Sequence, residues 1–94
     1  MTLPVNLSEA ARADIARLVD FLAPLNRRAA IRAVGVIEGA LASLADFPER
    51  GALGAKASYR EIQVRFGRGA YVVRYQVRPE GVLVTRLFHS NGRR

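Results

Sequence analysis

The sequence contains no cysteine and no tryptophan, and it has only one histidine and one lysine. Without cysteine the chain forms no disulfide and no thiolate metal site, and it has no cysteine nucleophile. A single histidine falls short of the ligand set that a zinc site requires, so we expect no metal and no cofactor. The sequence also lacks an apolar run of about 18 to 20 residues and the basic and apolar blocks of a signal peptide, which predicts a cytoplasmic protein without membrane contact.

Length and composition predict one folded domain. The chain has 94 residues and a mass of 10.3 kDa, which is room for a single hydrophobic core. Apolar residues make up 50% of the chain and charged residues 24%, as in globular proteins rather than in disordered ones. Residues 1–94 are therefore predicted to form one domain, whose function lies on its surface.

Positive charge is concentrated in the second half of the chain. Residues 1–49 hold five arginines and six acidic residues, whereas residues 50–94 hold ten basic residues and only Glu61 and Glu80 as acids. All but one of the cations are arginines, whose planar guanidinium makes paired hydrogen bonds to phosphate or carboxylate. The second half is therefore predicted to face a polyanion or an acidic partner.

A short strand and a helix are predicted at the start of the chain. Residues 3–7 alternate apolar and polar side chains, which indicates a strand that tolerates Pro4 near its start. Ser8 is placed to cap a helix of about four turns, whose apolar side chains recur at helical spacing until Pro24.

A second helix is expected to begin after the next cap candidate, Asn26, and to stop before Phe47 and Pro48. The short connection between the two helices predicts an antiparallel hairpin. Gly35 and Gly39 lie inside the second helix, where each costs about 1 kcal/mol relative to alanine. We expect a close approach of the first helix to compensate for them.

The second half of the chain predicts a sheet. Residues 49–57 contain two glycines and show no period, which indicates a loop. Beyond it, apolar and polar residues alternate in three runs separated by glycine-containing turns, as in an antiparallel meander. The runs are residues 61–66, 71–77 and 82–88. The predicted fold class is therefore α+β with two layers, a helical hairpin packed on a small, mainly antiparallel sheet in the order β-α-α-β-β-β.

Five segments of the chain carry a resemblance to a known family. They are LSEAARADI at residues 7–15, LADFP at 44–48 followed by Gly51, YREI at 59–62, YVVRY at 71–75 and RLFH at 86–89. In this order they resemble the RelE/ParE family of toxins from bacterial type II toxin–antitoxin systems, over nearly the whole chain. The resemblance implies a growth-inhibiting toxin of the kind associated with plasmid stabilisation. It also implies a cognate acidic antitoxin that neutralises the toxin in a hetero-oligomer.

The family has two branches, one that cleaves messenger RNA in the ribosome and one that poisons DNA gyrase. RNA cleavage by attack of a ribose 2′-hydroxyl on the adjacent phosphate needs a base, a cation and an acid. The RNases of the family commonly carry an arginine three residues before the tyrosine of the middle hairpin strand. If that tyrosine corresponds to Tyr75, the position is Val72 here. Arg74 lies on the same face of the strand as Val72 and is the cation that an RNase would use instead.

His89 fits both branches. Its imidazole can act as acid or base near neutral pH, as in some RNases of the family. Gyrase-directed members often end their last strand with Arg-x-x-His followed by basic residues, which Arg86, His89, Arg93 and Arg94 match. A hydrogen bond at the end of the sheet is the structural alternative for His89.

The remaining candidates lie along the predicted meander. Alternation predicts an exposed Arg65, and it places Arg60 with the apolar residues, either at the start of a strand or against a carboxylate. Arg68 is expected at a hairpin tip between two glycines. Tyr71 and Tyr75 alternate along the strand in step with the apolar residues Val73 and Val77, so they are predicted to face the core.

Three functions from different classes remain open. The first is a ParE-like, non-enzymatic inhibitor of DNA gyrase, favoured by Val72 and by the basic C-terminal run. The second is a RelE-like endoribonuclease that acts on ribosome-bound messenger RNA with Arg60, Arg65, Arg74 and His89. The third is a small nucleic-acid-binding module. It is the least favoured, because the chain offers few exposed aromatic residues that could stack on bases. The predicted partner-binding residues are Arg60, Arg65, Arg68, Arg74, His89, Arg93 and Arg94.

Overall fold

The computed structural model describes residues 2–54 and 58–90. Its elements are β1 (Val5–Leu7), α1 (Glu9–Leu22), α2 (Arg27–Asp46), β2 (Ala52–Leu53), β3 (Arg60–Phe66), β4 (Gly69–Arg78) and β5 (Gly81–His89). The strands form a five-stranded sheet in the order β1-β5-β4-β3-β2, in which β1 pairs with β5 in parallel and the other neighbours are antiparallel. Two helices and a mainly antiparallel sheet therefore confirm the predicted α+β fold.

Both helices begin and end where local signals predicted. The Ser8 side chain accepts a hydrogen bond from the Ala11 N–H (3.1 Å) and donates one to the Thr85 carbonyl (3.0 Å), which joins the start of α1 to β5. Asn26 caps α2 by accepting from the Ala29 N–H at 3.0 Å. The helix ends at Asp46, just before Phe47 and Pro48. Neither helix in the described part of the chain has the length and apolar character needed to cross a membrane.

The core lies between the helices and one face of the sheet. Both helices contribute to it with residues spaced by three or four positions, and the strands contribute every second residue. The largest fully buried side chains are Ile37, Leu44, Val73, Tyr75, Val82 and Val84. Tyr71 and Tyr75 are both buried, as predicted.

The predicted loop at residues 49–57 is wrong in part, since it contains a short strand. Ala52 and Leu53 pair antiparallel with Glu61 and Arg60, at the outer edge of β3. The pairing depends on β3, which begins seven residues after Leu53, and two residues are too few to show a period in the sequence. Residues 55–57 lie outside the described part of the chain.

The expected contact between α1 and the glycines of α2 is also wrong. Apart from its chain neighbours and the adjacent backbone of α2 itself, a Cβ built on Gly35 or on Gly39 would have no atom within 4 Å, and both residues are exposed. The two positions lie on the side of α2 that faces away from the core. The helix therefore retains their conformational penalty without a contact inside the chain that requires glycine.

Gly39→Ala is accordingly expected to raise the free energy of unfolding by about 1 kcal/mol, as alanine does in an exposed helix interior. Urea denaturation of the purified chain measures the change. The same substitution at Gly51 is the matched control, because a Cβ there would lie 2.6 Å from the Tyr75 hydroxyl and 2.8 Å from the Glu61 carbonyl. We expect Gly51→Ala to destabilise the fold. Equal stability of Gly39→Ala and wild type would contradict the open surface around this position.

Candidate partner-binding surface

The face of the sheet turned away from the helices carries two of the predicted site residues, Arg65 and Arg74. Alternation along the strands and the pairing of Glu61 with Arg74, of Gln63 with Val72 and of Val72 with Phe88 place these side chains together. We call this the outer face, defined by Glu61, Gln63, Arg65, Val72, Arg74 and Phe88. The opposite face, with Tyr71, Val73 and Tyr75, belongs to the core.

Arg74 lies at the centre of the outer face and is held on several sides. Its Nε and Nη2 both lie 2.8 Å from Oε2 of Glu61. The guanidinium is 4.4 Å from the ring centroid of Tyr59 and 5.5 Å from that of Phe88. The ion pair and the two cation–π contacts fix its position, and Glu61 balances its charge.

Val72 occupies the position at which the family's RNases commonly carry an arginine. It lies on the outer face beside Arg74, yet only 7% of it is exposed. Its cross-strand neighbours are Gln63 and Phe88. The Val72 side chain is therefore apolar and covered, and Arg74 supplies the cation closest to it along β4.

Arg60 was expected either at the start of a strand or against a carboxylate. The structure places it at the start of a strand, where it contacts backbone carbonyls. It is the first residue of β3, and its Nη1 donates to the carbonyls of Gly51 (2.7 Å) and Glu49 (3.2 Å). Both carbonyls belong to the segment that leads into β2. Arg60 therefore ties this segment to the sheet.

Arg65 and Arg68 are exposed, as predicted. Arg65 projects from the second half of β3, and Arg68 lies in the turn that joins β3 to β4. Neither has an ion-pair partner within residues 2–54 and 58–90. Their charges are thus available to an acidic partner. Arg93 and Arg94 lie outside the described residues.

His89 lies on the other side of the sheet from Arg74. It is paired with Tyr71 across the β4–β5 ladder, and the two rings meet edge to face with centroids 5.4 Å apart. A Cβ on Gly69 would lie 2.8 Å from its Nε2, so glycine at 69 makes room for the imidazole. Burial raises the pKa of Tyr71, which keeps this phenol protonated. His89 and Arg74 therefore do not converge on one anion.

A buried carboxylate that the sequence reading did not single out fastens α1 to β5. Oδ2 of Asp14 accepts from the Leu87 N–H at 2.8 Å and from Nε of Arg86 at 2.9 Å, and Arg86 Nη2 reaches Oδ1 at 3.2 Å. Arg17 also pairs with Oδ1. Burial alone would raise the pKa of Asp14, but the hydrogen bonds from Arg86 and Leu87 and the positive charges lower it below its ordinary value. The sequence did contain a signal for this buried carboxylate. Asp14 follows Ala11 by three residues and so lies on the apolar face of α1, where an aspartate needs a partner.

The helical hairpin exposes an apolar surface. Phe21, Leu25 and Ile31 are all exposed near the end of the hairpin. A groove of about 460 Å³ runs between the helices, lined by Val19, Ala23, Arg27, Ala30, Ile31, Val34, Gly35 and Glu38. Contiguous apolar surface of this kind is typical of protein interfaces.

Comparison with known proteins agrees with the fold and with the resemblance. A sequence model of the ParE toxin of type II toxin–antitoxin system, parDE, matches residues 5–93. Toxin RelE1 of Caulobacter vibrioides is 40% identical over 90 residues, which cover 96% of each chain. Toxin RelE3 of the same organism is 34% identical over 90 residues, which cover 96% of this chain and 97% of that toxin.

A solved structure shows the same fold at much lower sequence identity. A chain of the chromosomal ParDE toxin–antitoxin system from P. aeruginosa superposes with a TM-score of 0.76, at 16% identity, over 94% of this chain and 96% of that one. The fold is thus retained where most side chains differ. With the family match over almost the entire length, the chain belongs to the ParE toxin family of type II toxin–antitoxin systems.

Proposed function

We propose that this toxin inhibits bacterial growth by poisoning DNA gyrase, without an enzymatic activity of its own. The observation that carries the proposal is the placement of Arg74 and His89 on opposite faces of the sheet. RNA cleavage needs a cation and an acid or base around one phosphate. Arg74 is moreover paired with Glu61, which offsets the charge that would stabilise a phosphate transition state.

A cognate antitoxin is the second partner in this proposal. The solved structure of similar fold comes from a ParDE toxin–antitoxin system. In this chain, the excess of positive charge in the second half and the apolar surface of the hairpin suit an acidic, amphipathic segment that folds on binding. We propose that toxin and antitoxin form a hetero-oligomer in the cytoplasm, where gyrase is also located.

Cleavage of ribosome-bound messenger RNA is the alternative function. The names of the two Caulobacter vibrioides relatives, RelE1 and RelE3, favour it. It requires that Arg74 leave Glu61, or that Arg65 take over the role of the cation on the outer face. His89 would then act from another part of the surface.

A gyrase cleavage assay tests the proposal. The purified chain is incubated with gyrase, supercoiled plasmid and ATP without any drug, and the reaction is stopped with detergent and protease. We expect linear plasmid only when both proteins are present. The double charge reversal Arg65→Glu with Arg68→Glu should raise the toxin concentration for half-maximal cleavage about tenfold, because it removes steering charge from the exposed end of the sheet.

Arg12→Glu with Arg28→Glu is the matched control, since it changes the net charge equally at exposed positions on the helices. We expect this variant to match wild type. If gyrase releases no linear plasmid even at a large excess of toxin, the gyrase proposal fails. Primer extension on ribosome-bound messenger RNA, with wild type, Arg74→Ala and His89→Ala, would then test the alternative.

A further inference from the structure

The outward side of α2 is uncovered along its length. An α-helix turns by about 100° per residue, so Arg28, Gly35, Gly39 and Asp46 lie close to one line along its axis. All four are exposed, whereas Ile37 lies on the opposite side of the helix and is buried. We call the line of these four exposed residues the α2 face. The helix has 20 residues, so the face is about 30 Å long.

Charges of opposite sign occupy the two halves of α2. The first half carries Arg27, Arg28 and Arg32 and no acid, whereas the second half carries Glu38 and Asp46 and no base. This order is unfavourable for the helix itself, because its N-terminus is partially positive and its C-terminus partially negative. Within residues 2–54 and 58–90, neither Arg28 nor Asp46 has an ion-pair partner. No ion pair in that part of the chain therefore compensates for these two charges.

Three of the five charges lie at the margins of the α2 face. The guanidinium of Arg32 lies over the ring of Phe66, 5.9 Å from its centroid. Arg27 and Glu38 line the groove between the two helices. The charges on the face itself are Arg28 and Asp46. They lie about 27 Å apart along the helix axis, one near each end.

A second copy of α2 in antiparallel orientation complements this face. A twofold axis brings the same face of both copies together. With the axis at the level of Ile37, position 28 of one copy meets position 46 of the other, and position 35 meets position 39. Arg28 then pairs with Asp46 twice, once at each end of the contact. Each charge also comes to lie at the end of the opposite helix whose partial charge attracts it.

The centre of the face has room for a second helix. The space in front of Gly35 and Gly39 is open, as described above, and the distance between packed helices decreases with the size of the side chains at the contact. Beside the glycines, Ile31 is 63% exposed and Val36 is 38% exposed. A second copy would cover this apolar surface and give the two glycines a contact that requires them.

A segment with charge of one sign fits the face less well. An acidic segment would pair with Arg28, but Asp46 and the nearby Glu38 would repel it. A basic segment would have the converse mismatch at the other end. The partner that matches both ends carries both signs in the same order as α2, and the chain itself has this pattern.

We propose that the free toxin forms a twofold dimer in which the α2 faces of two copies pack antiparallel. Arg28 of each copy pairs with Asp46 of the other, and the helices approach each other at Gly35 and Gly39. The dimer is a property of the toxin alone and does not rest on the proposed function. Since that function uses exposed arginines of the sheet, it does not require the dimer.

Sedimentation equilibrium of the purified chain over a range of concentrations tests the proposal. We expect an equilibrium between monomer and dimer. Arg28→Asp and Asp46→Arg should each raise the dissociation constant about tenfold, because the twofold axis turns two attractive pairs into two repulsive ones. The double variant Arg28→Asp with Asp46→Arg should regain most of the affinity, since its charges are complementary again. Arg12→Asp on α1 is the matched control and should leave the equilibrium unchanged.

The stability of the same variants separates loss of the dimer from loss of the fold. Arg28→Asp places an acid at the start of α2, and Asp46→Arg places a base at its end. Both changes suit the partial charges of the helix ends. In dilute solution, the free energy of unfolding of each variant should therefore equal or exceed that of wild type. A weaker dimer of an equally stable monomer would show that the charges act between copies.

Cross-linking tests the direction of packing, because the natural sequence has no cysteine that would interfere. Arg28→Cys and Asp46→Cys are prepared separately and treated with a short bis-maleimide. We expect a cross-linked dimer from the mixture and little from either variant alone, since two copies of position 28 lie about 27 Å apart along the axis. The mixed dimer also keeps one of its two ion pairs.

Each of four results would overturn the proposal and leave the proposed function in place. A toxin that stays monomeric at its highest soluble concentration has no such dimer. A dimer that neither charge reversal weakens uses another face. Cross-linking of Arg28→Cys with itself shows parallel packing. If the toxin is monomeric and the reversals instead weaken binding to the protein encoded beside the toxin gene, that protein is the occupant of the α2 face.

Discussion

Replacing Asp14 with alanine is expected to lower the free energy of unfolding by about 3 kcal/mol, near the lower end of the range for breaking a buried ion pair. Asp14 is only 6% exposed, and its carboxylate satisfies the Leu87 N–H and Arg86 together. Alanine would leave the buried N–H without an acceptor. The side chain of Arg86 is 41% exposed and regains water, which keeps the loss near 3 kcal/mol rather than higher. Chemical denaturation measures the difference.

Asp20→Ala is the matched control for this prediction. Asp20 lies on the same helix but is exposed, so we expect a change within about 0.5 kcal/mol. A similar effect of both substitutions would show that helix propensity or net charge, rather than the junction of α1 and β5, determines the loss.

The dependence of stability on pH gives a second readout for Asp14. Burial alone would raise its pKa, but the hydrogen bonds from Arg86 and Leu87 and the positive charges of Arg86 and Arg17 together bring it below the ordinary 3.8 in the folded chain. A carboxylate whose pKa is lower in the folded than in the unfolded chain stabilises the fold. Its contribution is fully present above the unfolded pKa and is lost as the pH falls through the folded pKa. Wild type should therefore lose stability below about pH 4, and Asp14→Asn should lose less over the same range. Parallel curves for the two proteins would contradict the assignment.

Local signals were sufficient to predict most elements. Ser8 and Asn26 cap the helices, and prolines follow their ends, so the boundaries depend on side chains a few residues away. The strands of the meander were recognisable because period-two alternation is itself local. The fold class followed from these elements, since a one-sided sheet needs a helical layer to cover it.

Features that depend on contacts between separate elements were not predicted. β2 exists only because Ala52 meets Glu61, and the exposed position of Gly39 depends on how the hairpin lies on the sheet. Asp14 appeared as one polar residue in an amphipathic helix, because Leu87, its partner, is far away in the sequence. In each case the missing information is a contact between elements.

The candidate site shows the same limit. Alternation correctly predicted that Arg65 is exposed and that Arg74 shares a face with Val72. It did not show that Arg74 pairs with Glu61, because this requires the register of β3 against β4. The relation between Arg74 and His89 also depends on a shift of register in the β4–β5 ladder after Arg74. Alternation along a single strand does not reveal such a shift, so it cannot predict which residues of β4 and β5 share a face.

Replacing Tyr75 with alanine is expected to cause the largest loss of stability, about 4 kcal/mol, because it removes a large aromatic side chain from the core. Tyr75 is 0% exposed and is the largest of the fully buried side chains. Its hydroxyl accepts the buried N–H of Gly51 at 2.9 Å and so connects β4 to the segment before β2. Urea denaturation of the purified variant measures the loss.

Tyr75→Phe separates the hydroxyl from the ring. It leaves the Gly51 N–H unsatisfied in a buried position, which should reduce the free energy of unfolding by about 2 kcal/mol. The folded fraction should keep the full activity of wild type in the gyrase assay, because the hydroxyl points to Gly51 and away from the outer face. A Tyr75→Phe variant with unchanged stability and lost toxicity would contradict this structural role. It would place the phenol in the chemistry of the toxin and favour cleavage of messenger RNA over the poisoning of gyrase.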